Sequence, residues 1–396
     1  MITVLHVSAD YPDAIEPSKT RAIAELVEGT AGAFRHIVYS LNRIGGASGW
    51  TRPGALTIEA EQGFVRSCSY PAPSRGIFLG RTMTEVADQI LADLKARGER
   101  IDLVQGHKLT IEGLAARHLA GALDIPFMLT IQGNTDQKLL RARPDLVLNW
   151  RRCWHEAAEC ISFAPWASDW ISSRLGARTR PAENLPCVLA SDDVIAPVVM
   201  PPRIRTAFNL DEWRNKNIGV LAAAVAAACD QVQGLSLEIA GSGSPQSEAA
   251  IDLIIAKSGA ADAMRRVGRV AGNGIQSWMN NAAAFALVSR RETFGMVFAE
   301  ALLAGCPIIY PRGAAVDGYF PEGGFARGVD AGDHLELRDA IVAGIKGQDQ
   351  LKQRLGLWQA DGGADPFKRA SILTKYQSML ERAAARRTAA SIRAAH

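Results

Sequence analysis

The chain has 396 residues, of which 48% are hydrophobic and 21% are charged, and its formal net charge is +3. This length exceeds what one ordinary hydrophobic core supports, so we expect two domains. No apolar stretch reaches the ~18 residues that a membrane-spanning helix needs. The six cysteines show no C-x-x-C spacing, and the start MITVLHVSADYP lacks the features of a signal peptide. These features predict reduced, structural cysteines and a cytoplasmic location.

Short apolar strands alternate with longer helical stretches along the chain, a pattern typical of α/β folds with parallel sheets. The strand-like segments of the first half are ITVLHVS, HIVYSLN, LVQGH and FMLTIQG. The helical segments between them are TRAIAELVEGTAGA, MTEVADQILADLKARG and IEGLAARHLAGALD. The segment SDDVIAPVVMPPR has three prolines and little periodicity, which predicts a linker at residues 191–203.

A second series of strands and helices follows the linker. Its strand-like segments are IRTAFNL, LSLEIAGSG, AMRRVGRV, AAFALVSR and CPIIYP, and its helical segments are IGVLAAAVAAACDQV, QSEAAIDLIIAKSG and FGMVFAEALLAG. Two α/β domains of similar size are therefore expected. Ligands of open parallel sheets bind beyond the carboxyl ends of the strands.

Two glutamates flank a glycine turn in the stretch SRRETFGMVFAEALLAG, beyond the predicted strand FALVS. If a helix begins near Gly295, the N–H groups of Met296 and Val297 point at an anion. Glu300 then lies roughly one turn further along, and Glu292 precedes the turn. Carboxylates accept hydrogen bonds from sugar hydroxyls. The pattern predicts a site for a sugar joined to a nucleoside through a diphosphate.

This stretch resembles the E-x7-E region of the retaining GT-B glycosyltransferases of family 4. The segments LEIAGSGS, VGRV and DLVQGH are also similar to pieces of that family. The resemblance implies two Rossmann-like doubly wound domains, at 1–192 and 203–365, facing across a cleft, with a C-terminal helix at 366–396 crossing back to the first domain. It implies retaining transfer of a sugar from a nucleotide-diphosphate sugar to a glycan or lipid-linked acceptor, in bacterial cell-surface polysaccharide biosynthesis.

The resemblance also implies roles for donor-binding residues. It gives Glu292 the contact with the donor-sugar hydroxyls and Glu300 the contact with the ribose, while the backbone of Met296 and Val297 holds the diphosphate. The other donor-binding residues that it implies are Gly241, Ser242, Gly243, Val270, Phe294 and Gly295.

The family places an arginine and a lysine in the turn after the first strand of the second domain. Lys216 resembles that lysine, whereas Asn209 or Asp211 stands where the arginine is expected. Arg214 and Arg205 are candidate substitutes. A fixed cation here stabilises the negative charge that grows on the departing nucleoside diphosphate.

In the first domain, the resemblance places His107 of DLVQGH beside the donor sugar and the reacting phosphate. A histidine that ends a strand is also often a satisfied core residue, so both interpretations stay open. Gln132 and Gly133 stand where relatives have His-Gly, and Ser18 and Lys19 replace a Gly-Gly pair in the first turn. The resemblance assigns these four residues to the acceptor side.

No Asp-x-Asp occurs and no cluster has metal-ligand spacing, so we expect no metal and no other cofactor. Residues 351–396 carry nine Lys and Arg against three Asp and Glu. The segment DPFKRASILTKYQSMLERAAARR predicts an amphipathic helix with Asp365 at its N-cap and Pro366 at its first position. The basic residues near its end are Arg382, Arg386, Arg387 and Arg393. They allow peripheral contact with an anionic membrane or a merely solvated helix end, and nothing indicates nucleic-acid binding.

Three other functions share parts of this sequence pattern. A nicotinamide-dependent dehydrogenase would need GSGSPQ at 241–246 as its fingerprint, but that segment ends in glutamine. A GT-B sugar-nucleotide epimerase shares the domain plan without the E-x7-E pattern. A catalytically impaired nucleotide-sugar-binding subunit is favoured only by the absent arginine.

Overall fold

A computed structural model describes residues 1–320 and 324–386. The chain forms two compact units: unit 1 comprises residues 1–163, residues 167–188 and the C-terminal part from Ala370, and unit 2 comprises Ala164–Trp166 and Leu189–Arg369. None of the described helices combines the length and the hydropathy that a membrane span requires.

The strands of the described residues are β1 (Thr3–Ser8), β2 (Arg35–Ile44), β3 (Thr57–Gln62), β4 (Val65–Pro71), β5 (Leu103–Gly106), β6 (Phe127–Ile131), β7 (Glu159–Ser162), β8 (Glu183–Asn184), β9 (Arg203–Ala207), β10 (Ser236–Ala240), β11 (Met264–Gly268), β12 (Ala284–Ala286), β13 (Ile308–Pro311) and β14 (Ala326–Val329). The helices are α1 (Ala22–Thr30), α2 (Ser48–Thr51), α3 (Leu79–Ala96), α4 (Glu112–Leu123), α5 (Asn134–Ala142), α6 (Val147–Glu156), α7 (Pro165–Leu175), α8 (Ile218–Cys229), α9 (Pro245–Lys257), α10 (Ile275–Asn280), α11 (Met296–Leu303), α12 (His334–Lys346), α13 (Gln348–Ala360) and α14 (Arg369–Ala384).

Unit 1 is built on an eight-stranded sheet in the order β3-β4-β2-β1-β5-β6-β7-β8. Its pairs are parallel except β3 with β4, which form an antiparallel hairpin around Gly63. All six residues of β1 are buried, as expected for a parallel strand that is covered on both faces. The predicted strands are present, and the hairpin, β7 and β8 are additions that sequence reasoning missed.

Unit 2 has a six-stranded parallel sheet in the order β11-β10-β9-β12-β13-β14. The alanine-rich helix α8 packs into its core, where alanine combines high helix propensity with a small volume. Because β9 and β12 are neighbours, the loops that follow them lie side by side at the carboxyl edge of the sheet.

The predicted linker is irregular, but it packs on unit 2. Ile195 donates its backbone N–H to Leu303 at 2.8 Å, and Asn280 donates to the carbonyl of Ala196 at 2.9 Å. Residues 191–203 accordingly belong to the Leu189–Arg369 segment of unit 2. Proline content identified the irregular chain, whereas these hydrogen bonds decide which unit holds it.

The predicted start of the C-terminal helix is wrong. Asp365–Phe367 forms a separate 3-10 turn, Lys368 is extended, and α14 begins at Arg369. The Phe367 ring stacks on Phe320 of unit 2 with centroids 5.7 Å apart, and this burial holds it away from the helix. The buried residues of α14 are Ile372, Tyr376, Met379, Leu380 and Ala383. They belong to unit 1, where the Tyr376 hydroxyl donates to Gln105 at 2.6 Å.

Candidate functional site

The glycine turn before α11 has the predicted form. Gly295 is the N-cap residue with φ 70°, and α11 begins at Met296. A Cβ at Gly295 would lie 2.7 Å from the Phe298 ring, so both the backbone angle and the packing require glycine. The first-turn N–H groups, which include those of Met296 and Val297, have no acceptor four residues back within the helix. This end of α11 can therefore hold an anion.

Lys216 and Glu292 form an ion pair in unit 2. The Lys216 Nζ lies 2.7 Å from a Glu292 carboxylate oxygen and 3.8 Å from Glu212, while Ser289 Oγ donates to Glu292 at 3.2 Å. The pair joins the loop after β9 to the loop after β12. Two residues 76 positions apart in the sequence therefore form one charged site.

The same two loops are also linked through Asn215. The Arg290 backbone N–H donates to the Asn215 carbonyl at 2.7 Å, and the Asn215 side chain donates to the Arg291 carbonyl at 3.2 Å. These bonds fix the spacing between the loops. The position of Lys216 next to Glu292 therefore does not depend only on the attraction between their two charges.

Neither residue at the expected arginine position supplies a cation. The Asn209 side chain accepts from the Asp211 N–H at 3.1 Å, and Asp211 accepts from the Ser244 N–H at 2.8 Å and from its Oγ at 2.7 Å. These Ser244 hydrogen bonds lower the pKa of Asp211. The carboxylate therefore fastens the loop after β9 to the turn after β10.

Arg205, one of the two candidate substitutes for the missing arginine, does not face the donor site. It is 5% exposed, it bonds Glu238 at 2.8 Å, and its guanidinium lies 4.7 Å from the centre of the Trp278 ring. The Arg205 charge is therefore neutralised by Glu238 inside unit 2. Arg214 stacks on Trp213 at 4.2 Å and remains a candidate. The residues around it line a cavity of about 500 Å³: Asp211, Glu212, Arg214, Asn215, Arg290 and Arg291.

The Gly-x-Gly turn packs against the loop after β9. Gly241 has φ 143°, and a Cβ there would lie 2.0 Å from the carbonyl oxygen of Phe208. A Cβ at Gly243 would lie 2.9 Å from Leu210, whose N–H donates to the Ser242 carbonyl at 3.0 Å. Close backbone packing therefore requires both glycines.

Glu300 and Val270, the remaining predicted donor residues, are half-buried. Burial raises the pKa of Glu300, although its carboxylate accepts a hydrogen bond from the Ala190 N–H. Met296 is 37% exposed, whereas Phe294 is buried and meets the Tyr319 ring edge-on at 5.7 Å.

Trp166 supports this loop and was missed by sequence reasoning. Its Nε1–H donates to the carbonyls of Thr293 at 3.0 Å and Ala315 at 3.1 Å. Trp166 precedes Thr293 by 127 positions, so no local pattern could reveal the contact. It holds the backbone next to Glu292 in place.

In unit 1, His107 is fully buried in a chain of three imidazoles. Its Nε2 lies 3.1 Å from His6, and His6 lies 2.9 Å from His36, which reaches Thr30 at 3.1 Å. On its other side, His107 Nδ1 lies 3.4 Å from Thr130 Oγ1. These are the surroundings of a satisfied core histidine, and any contact with a donor would involve a neutral imidazole.

The predicted acceptor-side residues have structural partners. Gln132 donates to the His107 carbonyl at 2.8 Å, and Gly133 has φ 98° at the N-cap of α5. Lys19 Nζ bonds Asp13 at 3.1 Å and Ser40 at 3.0 Å. Ser18 Oγ donates to Glu16. The charge of Lys19 is therefore compensated within the loop after β1.

We expect acid to destabilise unit 1 through its buried histidines. Burial lowers the pKa of His107 to about 3 and that of His36 to about 4, and it lowers the pKa of His6 well below its ordinary value. Between these values and ~6.5, the unfolded chain binds more protons, so the free energy of unfolding decreases as the pH falls. Each histidine contributes up to roughly 1.4 kcal/mol per pH unit in this window.

Two buried carboxyls oppose this trend. Burial raises the pKa of Glu112 to about 7 and also raises that of Asp136, so these groups weaken folding as the pH rises. The effect of the three histidines on the pH dependence exceeds that of the two carboxyls. We therefore expect the free energy of unfolding, measured with urea, to be lower at pH 5 than at pH 6.5. His107→Asn should reduce this pH slope by about one proton relative to the unaltered chain. An unchanged slope in folded His107→Asn protein would refute the assignment.

Comparisons with known proteins agree with this architecture. The family model described as Glycosyl transferases group 1 matches residues 201–346, within unit 2. Among solved structures, sucrose-phosphate synthase from Thermosynechococcus elongatus aligns with a TM-score of 0.68 at 15% identity, covering 96% of this chain and 99% of its own. The fold is GT-B. No curated protein matches the chain.

Two further GT-B structures align over nearly the full chain. HepE from Anabaena, in complex with UDP and glucose, gives a TM-score of 0.65 at 15% identity, covering 96% of this chain and 100% of its own. The α,α-trehalose 6-phosphate synthase from Burkholderia multivorans gives 0.66 at 12% identity, with 99% and 98% coverage. In this GT-B chain, unit 2 carries the matched domain together with Lys216, Glu292 and Glu300.

Proposed function

We propose that the protein is a retaining glycosyltransferase of family 4. It moves a sugar from a nucleotide-diphosphate sugar to a glycan or lipid-linked acceptor, in bacterial cell-surface polysaccharide biosynthesis. The observation that carries the proposal is the Lys216–Glu292 ion pair, formed in the unit that matches group 1 glycosyltransferases. The GT-B protein HepE in complex with UDP and glucose supports a nucleotide-sugar donor.

The ion pair gives each partner a role in donor binding. Glu292 accepts hydrogen bonds from the donor-sugar hydroxyls, while Lys216 and the first turn of α11 attract the diphosphate. The bond between the anomeric carbon and the diphosphate breaks as the acceptor oxygen attacks from the same face. The acceptor proton passes to the departing phosphate. Lys216 then stabilises the negative charge that grows on the leaving group.

We further propose that the diphosphate is held without a metal ion. The sequence has no Asp-x-Asp, and within the described ranges no group of three His, Cys, Asp or Glu side chains has a metal-binding arrangement. The lysine and the helix end supply the positive charge instead.

Product analysis tests the function. The protein is incubated with a panel of nucleotide sugars in excess chelator, and the products are followed by chromatography. Slow release of nucleoside diphosphate supports a transferase, whereas an isomerised sugar nucleotide supports an epimerase. Ligand binding without turnover would favour an impaired subunit, and activity that returns only with Mg²⁺ or Mn²⁺ would contradict the metal-free site.

Glu300→Ala is expected to weaken nucleoside-diphosphate binding by roughly ten- to a hundredfold, because a hydrogen bond to a charged acceptor contributes about 1.5–3 kcal/mol. Isothermal titration calorimetry measures this loss, and thermal unfolding shows whether the variant folds. The exposed Glu381→Ala is the matched control. Unchanged affinity in folded Glu300→Ala protein would contradict the ribose contact.

The proposal includes a membrane contact through the basic C-terminus. Arg382 pairs with Glu183, and Arg386 pairs with Glu159 at 2.6 Å, so neither guanidinium is free for lipid phosphates. Arg387 and Arg393 lie outside the described residues. We therefore restrict the proposed C-terminal contact to residues 387–396.

A further inference from the structure

Unit 1 carries an exposed aromatic pair, formed by Trp50 in α2 and Phe78 just before α3. Trp50 is 57% exposed and Phe78 is 44% exposed, and their rings meet edge to face with centroids 6.0 Å apart. Ile44, at the end of β2, is 48% exposed. Large apolar side chains that cluster in solvent mark an interaction surface more often than single ones do.

The backbone is built to present this pair. Ala72 donates its N–H to the Ile44 carbonyl at 3.0 Å, and Gly54 donates to Pro71 at 2.9 Å, so the two loops are joined at their bases. A Cβ at Gly49 would lie 2.8 Å from the backbone of Ala72.

One of these loops holds two left-handed residues that are not glycine. Phe78 and Arg75 both have φ 59°. This conformation is unfavourable for residues with a Cβ, and it persists only where the surroundings impose it. The loop therefore keeps an aromatic ring in solvent at a conformational cost.

Arginines flank the pair in the sequence. Residues 43–54 and 72–81 together contain four arginines and no aspartate or glutamate. Arg43 donates to the Ala72 carbonyl at 3.2 Å. Within the described chain, Arg52, Arg75 and Arg81 are exposed and take part in no ion pair.

We propose that these loops dock unit 1 on the surface of an anionic lipid bilayer. We call the surface formed by Ile44, Trp50, Phe78, Arg52, Arg75 and Arg81 the aromatic–arginine surface. Tryptophan and phenylalanine insert at the boundary between headgroups and acyl chains, and arginines are attracted to the anionic headgroups beside it. The inference does not depend on the proposed transferase activity.

Vesicle co-sedimentation of the full chain tests this surface. The apolar variant combines Trp50→Ser with Phe78→Asn, and the charge variant combines Arg52→Ser, Arg75→Asn and Arg81→Ser. Asparagine tolerates the left-handed conformation at positions 75 and 78, so both variants are expected to fold. Vesicles of phosphatidylcholine with and without phosphatidylglycerol are the probes, at low salt.

Matched controls change residues of similar exposure elsewhere. Leu253→Ser with Leu357→Ser alters side chains that are 53% and 57% exposed in unit 2. Arg151→Ser with Arg152→Ser removes two exposed charges of α6. Deletion of residues 387–396 removes the C-terminal basic segment.

We expect both surface variants to bind phosphatidylglycerol vesicles at least tenfold more weakly than the unaltered chain, while the two matched controls bind like the unaltered chain. Wild-type binding by both surface variants would overturn the proposal, as would failure of the full chain to bind the anionic vesicles. A loss confined to the deletion would assign the contact to the C-terminus instead. Nucleotide-induced thermal shifts should be equal in all variants, which separates this test from that of the donor site.

Discussion

Lys216→Ala is expected to lower the turnover number by roughly 10²–10³-fold, the usual cost of removing one fixed group that stabilises transition-state charge. The Michaelis constant should change less, because negative charge on the leaving group is greatest in the transition state. In the structure, Lys216 lies 2.7 Å from Glu292 and its side chain is only 15% exposed, so few other groups can take its place. Steady-state kinetics with the donor identified by product analysis measures both constants.

The control for this variant is Lys257→Ala, which removes an exposed lysine from the last turn of α9. Turnover of Lys216→Ala within threefold of the unaltered chain would contradict the assignment. Arg214, which stacks on Trp213 beside the same loop, would then be the cation to test. Arg205 would not be the cation to test, since Glu238 already neutralises its charge.

Gly241→Ala is expected to destabilise unit 2 by about 3 kcal/mol or more, because the added methyl group creates both a clash and a strained backbone angle. The Cβ would lie 2.0 Å from the Phe208 carbonyl oxygen, and φ is 143°. Neither atom is the end of a flexible side chain, so the loop after β9 would have to move. Because Lys216 lies on that loop, we expect the variant to bind the donor more weakly as well as to be less stable.

Gly259→Ala is the matched control. Gly259 also has positive φ, at 86°, but no atom lies within 4 Å of an added Cβ. Gly259→Ala should lower the free energy of unfolding by only about 1 kcal/mol, the ordinary penalty for alanine in this conformation. Thermal unfolding followed by circular dichroism compares the two variants. Equal changes in their unfolding temperatures would show that the contact with Phe208 does not limit stability.

Local pattern was enough for the elements that form the donor end of unit 2. The run of apolar residues after Gly295 predicted α11, because a positive φ and a helix start depend on a few adjacent residues. Alternation of strands and helices likewise predicted the parallel sheets. The predicted helix start at Asp365 was wrong, because burial of Phe367 among aromatic rings of unit 2 outweighs the helix-start pattern of Asp365 and Pro366.

Sequence pattern alone predicts two α/β domains, a glycine-capped helix with acidic residues around it, and a lysine in the turn before α8. Three contacts became visible only in the folded chain: Lys216 with Glu292, Trp166 with the Thr293 carbonyl, and Arg205 with Glu238. These two groups of features differ in the range of the interactions that produce them. Backbone conformation and helix capping depend on neighbouring residues, whereas ion pairs and burial join side chains that are far apart in sequence, and folding alone brings these together.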